Sequence, residues 1–138
     1  MPHLTVEYSA NVAEVVAVDE LVNALHDAAL ATGVAPLDAL RTRAARRDHY
    51  AIADRDPANA FVAVVARFGA GRSDDDKRAV VEALMAALEA ALGDRQRSMM
   101  LSVEYQDIDP ALRRNKNNLR PAIAARTTSG SGRTDDEV

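Results

Sequence analysis

Apolar and polar positions along the chain fall into two rhythms, and each rhythm occurs twice. From Pro2 to Tyr8 the apolar Leu4, Val6 and Tyr8 alternate with His3, Thr5 and Glu7. That period of two predicts a strand with one buried face. Val18, Leu21, Val22, Leu25, Ala28 and Ala29 then recur at helical spacing, with Asp19 as the expected N-cap. Gly33 and Pro36 supply the stop. A second strand is predicted over Leu40 to Arg47, unusually basic because Arg41, Arg43, Arg46 and Arg47 all fall within it. Asp54 to Asn59 reads as a turn.

The pattern now repeats. Phe61 to Phe68 is a nearly continuous apolar run, as in a strand covered on both faces. Gly69, Gly71 and Ser73 make a turn, with Ser73 as N-cap of a second helix and Asp74 to Asp76 favouring its positive end. Val81, Leu84, Met85, Leu88, Ala91 and Leu92 form that helix's predicted stripe, closed by Gly93. Met99, Leu101, Val103 and Tyr105 alternate as a fourth strand. The order is strand, helix, strand, twice over.

Each helical crossover makes its two strands parallel. The predicted fold is therefore α/β (α+β): two β-α-β units forming a four-stranded sheet with two helices on one face. No third helix is predicted to cover the other face, so neighbouring subunits are expected there. After Pro110 the chain turns polar and basic through Arg113, Arg114, Lys116, Asn117 and Asn118, suited to a short extra strand or arm at a subunit contact. One domain is expected over 1–126. The remainder, 127–138, is a disordered tail by composition.

Composition narrows the functions. The chain has 138 residues, 48% hydrophobic and 28% charged, as in a globular domain. It has no cysteine, and His3, His26 and His49 have no ligand spacing, which argues against a metal site. A formal net charge of -4 argues against nucleic acid as partner, and no segment reaches transmembrane length. The cytoplasm is the expected compartment. Aromatic residues make up only 4%, so the core must rest on Ala, Val and Leu.

Against that background Pro2 stands out. Removal of Met1 would leave it as a free secondary amine heading a rigid strand. Burial or nearby cations lower an α-amino pKa, and a neutral amine can accept a proton and return it elsewhere. Arg41, at the start of the second strand, and Arg72, in the turn before the second helix, suit planar carboxylates. A solvated surface role is the ordinary alternative for each, and more so for Arg43, Arg46 and Arg47. Gly69-Ala-Gly-Arg-Ser follows a strand and precedes a helix but lacks the residues of a nucleotide loop. Glu7 and Glu104, both on polar strand faces, are a candidate carboxylate pair or simply solvated.

These residues carry a resemblance. Met-Pro-His-Leu-Thr-Val-Glu-Tyr-Ser at the start, Ala31-Thr-Gly-Val-Ala-Pro-Leu, Leu40-Arg-Thr-Arg, Phe61-Val, Gly69-Ala-Gly-Arg-Ser and Asn117-Asn118 come in a recognisable order. Over most of residues 2 to about 120 the chain resembles the 5-carboxymethyl-2-hydroxymuconate delta-isomerases of the tautomerase superfamily. The resemblance implies a homotrimer of β-α-β repeats working without a cofactor on a small carboxylate substrate. It implies Pro2 as catalytic base and Arg41 and Arg72 as substrate-orienting residues. The reaction it implies converts a muconate-type dienol to its conjugated ketone during homoprotocatechuate breakdown. Asp48-His49-Tyr50-Ala51 departs from the Trp-containing stretch expected after the second strand, which bears on pocket shape. The alternatives are a tautomerase of another small enol acid, or a non-catalytic trimeric interaction protein of the same fold.

Overall fold

Both strand-helix-strand units form as the periodicities require. The computed structural model describes the backbone of residues 2–137 and the side chains of residues 2–128. Strand β1 (His3–Ser9), helix α1 (Val18–Ala31) and strand β2 (Arg41–Arg47) make the first unit. Strand β3 (Ala60–Gly69), helix α2 (Asp74–Leu92) and strand β4 (Met99–Ile108) make the second. β1 is parallel to β2 and β3 to β4, and the units join through an antiparallel β1–β3 pair. The sheet order is β2-β1-β3-β4.

The helices cover one sheet face. Leu21, Leu25 and Ala29 of α1 and Val80, Leu84, Leu88 and Leu92 of α2 are buried with Leu4, Val6 and Tyr8 of β1 and Val62, Val64, Ala66 and Phe68 of β3. Each such leucine or phenylalanine taken from water contributes roughly 1.5–3 kcal/mol. The α2 stripe runs through Val80 rather than Val81, which with Met85 and Ala91 is only half-buried. Those three flank a seam that advances every fourth residue.

The caps follow local chemistry. The Ser73 side chain accepts from the Asp76 N–H at 3.1 Å, as expected for an N-cap. Asp19 does not cap α1; Ala17 occupies that position without a side-chain bond, and Asp19 sits in the first turn. There its charge still favours the positive helix end. The stop is built by Thr32, whose Oγ1 donates to Ala29 O at 2.6 Å, and by Gly33 at φ 75°.

β2 remains a strand despite its arginines because it is an edge, paired only with β1. Charged side chains are tolerated there and discourage pairing with another chain. The expectation that β3 is covered on both faces fails within this chain. Its burial alternates, with Phe61, Ala63 and Val65 half-exposed on the face away from the helices. The apolar run is real, but its alternate residues stay half-exposed among the described residues.

After β4 no extra strand forms among the described residues. A short 3-10 turn at Pro110–Leu112 leads through an extended stretch to helix α3 (Leu119–Glu137). Proline at the start of that turn, and Asp109 accepting from the Ala111 N–H at 2.9 Å, turn the chain away from the sheet edge. The tail expected over 127–138 falls mostly among residues whose side chains lie outside those described; the backbone to Glu137 continues α3. No described helix is long and apolar enough to cross a membrane.

Candidate active site at one end of the sheet

The strand directions collect the candidate residues. β1 and β2 start, and β3 and β4 finish, at the same end of the sheet. Pro2 precedes β1, Arg41 opens β2, Arg72 follows β3, and Arg113 follows β4. The Arg41 N–H donates to Pro2 O at 3.3 Å, tying the two together, and Ala70 N–H donates to Ile108 O at 3.1 Å across the other pair. Pro2 is buried. Continuing the β1–β3 ladder one step from the His3–Arg67 pair sets Pro2 across from Phe68.

Three guanidinium groups gather there. Arg41 Nε donates to Ala39 O at 3.2 Å, while its Nη2 is buried with no hydrogen-bond partner. Arg72 Nη1 donates to Gly69 O at 2.8 Å, and its guanidinium lies 5.0 Å from the centre of the Phe68 ring. Arg113 was visible in the sequence only as one of several basic residues past Pro110. Its guanidinium packs on Gly69, where an added Cβ would lie 3.3 Å from both terminal nitrogens, and its Nη1 is buried and unpartnered. None of the three forms an ion pair among the described residues. Burial first, then the charges of Arg43 and Arg113, hold the Arg41 pKa below its ordinary value.

The surroundings deepen the positive field. His3 is pushed down to about 4, by burial first and then by Arg41, Arg43 and Arg67. It is therefore neutral at pH 7, and its Nδ1 accepts from Arg43 Nη1 at 3.1 Å. On the helix side Tyr105 stacks on Phe68 with ring centres 5.2 Å apart, and its hydroxyl is also buried without a partner. Burial raises the Tyr105 pKa, so the hydroxyl stays protonated. Arg41 Nη2, Arg113 Nη1 and Tyr105 Oη are the buried side-chain polar atoms left unpaired among the described residues. All three lie toward the Pro2 end of the sheet. Unpaired buried donors are costly, and Arg41 Nη2 and Arg113 Nη1, on guanidinium groups close enough to influence each other, suit an anionic ligand.

Other candidates are drawn elsewhere. Arg46 pairs with Asp48 at 2.8 Å and Arg47 with Glu7 at 2.9 Å. Glu7 and Glu104 are no pair, because β3 lies between their strands. His26 meets Thr42 at 2.8 Å in the α1–β2 packing. Tyr50 packs edge-on against Phe61 with ring centres 6.4 Å apart, at the end of β3 away from this chain's own Pro2. No group of three His, Asp or Glu side chains among the described residues is placed to hold a metal ion. Beside Arg41, a cavity of about 270 Å³ has Asp38 on one wall and Lys116, Asn117 and Leu119 on the other. Asn117 builds that wall: its Nδ2 donates to Asp38 O at 2.9 Å, and its Oδ1 accepts from the first N–H groups of α3 at 3.0 and 3.1 Å.

Known proteins share this arrangement of elements. The family model for 5-carboxymethyl-2-hydroxymuconate isomerase matches residues 2–123. The 5-carboxymethyl-2-hydroxymuconate Delta-isomerase of Escherichia coli is 32% identical over 122 residues, covering 86% of this chain and 96% of the relative. The crystal structure of a 5-carboxymethyl-2-hydroxymuconate isomerase from Deinococcus radiodurans R1 superposes with a TM-score of 0.81 at 36% identity, over 88% of this chain and 93% of that one. A structure described as a fused 4-OT wild type symmetric trimer matches with a TM-score of 0.59 at 26% identity, over 83% of this chain and 92% of that one. With its four-stranded mixed sheet and both β-α-β units in the order of these isomerases, the chain belongs to the 5-carboxymethyl-2-hydroxymuconate isomerase family and has the tautomerase fold.

Proposed function

We propose that this chain isomerises 5-carboxymethyl-2-hydroxymuconate to its conjugated keto isomer, a step in homoprotocatechuate breakdown, with Pro2 as general base and acid. The observation that carries this reading is the convergence of buried Pro2 with Arg41 and Arg72, neither arginine neutralised by a carboxylate. Removal of Met1 frees the Pro2 amine. The surrounding guanidinium charge disfavours its protonated form and keeps it basic but neutral near pH 7.

In the substrate the enol hydroxyl sits on C2 of a C2–C5 diene. Pro2 takes the hydroxyl proton, the C2–O bond becomes a carbonyl, and the double bonds shift to C3–C4. Pro2 then returns the proton to C5, so atoms and charge balance without a cofactor. Arg41 and Arg72 hold substrate carboxylates and stabilise the negative charge of the dienolate as it forms. Buried Phe68, across from Pro2 in the ladder, and Tyr105 packed on its ring make the helix side of this end apolar.

The half-exposed face of β3 and β4 is covered by two further copies of the chain, making a homotrimer. The apolar character of Phe61, Ala63 and Val65 supports this, as does the trimer named for a fold relative. Comparing kcat/KM for 5-carboxymethyl-2-hydroxymuconate, 2-hydroxymuconate and enol-phenylpyruvate tests the assignment. The first should be preferred. No turnover of it, or preference for phenylpyruvate, overturns the proposal.

A further inference from the structure

We propose that Arg113 is a third substrate-binding arginine, which with Arg41 takes the carboxymethyl carboxylate that distinguishes this substrate from a simple hydroxymuconate. This rests on the function proposed above and assigns a residue within its site. The chemistry sets the number. A muconate has two carboxylates, and the carboxymethyl branch adds a third, whereas the sequence motifs supply only two arginines.

Three features of Arg113 fit the role. Its Nη1 is buried with no partner, as is Arg41 Nη2, so two guanidinium groups at the same end of the sheet each hold a donor free for an acceptor. Its position is set by Gly69, which has no side chain to displace the guanidinium. The carbonyl of that same glycine holds Arg72, so a single residue at the end of β3 positions two arginines.

The segment that carries Arg113 is fastened at both ends. Before it, Asp109 caps the 3-10 turn and Ala70 is bonded to Ile108. After it, Asn117 donates to the Asp38 carbonyl, and Arg120 Nε pairs with the Asp38 carboxylate at 2.6 Å. Asp38 lies three residues before Arg41. A clasp between the two segments thus holds Arg41 and Arg113 in a fixed relation. An arginine kept only for solubility would need neither the clasp nor the burial.

The test compares Arg113→Ala, Arg113→Lys and Gly69→Ala with the native chain on two substrates, and measures tricarballylate binding by calorimetry. Arg113→Ala should lose roughly 10- to 100-fold in kcat/KM for 5-carboxymethyl-2-hydroxymuconate, mainly through KM. For 2-hydroxymuconate, which lacks the branch, the loss should stay within about threefold. Lysine should restore part of the loss as a point charge without the guanidinium fork. Gly69→Ala, which crowds the guanidinium without removing it, should reproduce the selective loss in a folded protein. Tricarballylate affinity should fall in parallel for Arg113→Ala.

Equal losses on both substrates overturn the assignment. So does a weakened oligomer with unchanged tricarballylate affinity, because Arg113 would then be pairing with a neighbouring subunit. Tricarballylate binding does not require Pro2 chemistry. A failure of the proline mechanism would leave that measurement standing and is thereby distinguished from a failure of Arg113.

Discussion

At the scale of single residues the site is defined by which arginines are satisfied. Arg46 and Arg47 have carboxylate partners within 2.9 Å, and Arg43 donates to His3. Arg41, Arg72 and Arg113, which follow or open the strands at the Pro2 end of the sheet, have none among the described residues. His3 reports its own burial first, and then the charges of Arg41, Arg43 and Arg67. Because its pKa falls from 6.5 to about 4 on folding, the unfolded chain takes up a proton between those values that the folded chain refuses. The stability owed to this group is complete above pH 6.5 and declines as pH falls toward 4. Following the His3 ring by NMR should show no titration between pH 7 and 5. A midpoint near 6.5 would contradict the burial of His3 beside Arg41, Arg43 and Arg67. Pro2, Arg41 and Arg72 were all visible in the sequence. Arg113 was not, because neither strand nor helix periodicity carries its position. In the irregular stretch after Pro110 it has no spacing signal; only the fold brings it back to Gly69.

At the scale of elements, every predicted strand and both crossover helices were legible: β1 and β4 by a period of two, α1 and α2 by helical spacing, and β3 by its apolar run. What was not legible has physical causes. Val80 and Val81 are adjacent valines, and only the packing of α2 on the sheet decides which one enters the seam. Ala17 rather than Asp19 precedes α1 because the chain enters from a 3-10 turn at Ala10–Glu14, which sets where the first helical residue falls. The stretch after Pro110 carries little apolar periodicity, so its cap at Asn117 was seen as a motif and not as a helix start. β3 was read as doubly covered, and its exposed face now becomes a prediction. Val65 lies between Thr5 and Glu104 on that face. Sedimentation should give the native chain the mass of a trimer, and Val65→Glu should shift it to smaller species. A native monomer would contradict the proposed assembly.

At the scale of the whole molecule, the two β-α-β units are joined head to tail through β1 and β3. That antiparallel join brings the start of the first unit to the finish of the second. The proline, the first arginine, the turn with the second arginine and the segment with the third thus meet although they span positions 2 to 113. The family explains the fold; the unpaired buried donors of Arg41 and Arg113 are the reason the site is proposed at this end of it. The central claim is that the Pro2 amine carries the proton. It is tested most directly by measuring kcat/KM of Pro2→Ala beside the native chain, with the intact mass of each determined. The account predicts a native mass without Met1 and a loss of about 10²–10⁴-fold in the variant, with unchanged folding. A native chain that isomerises its substrate while retaining Met1, or a variant of near-native rate, would contradict it.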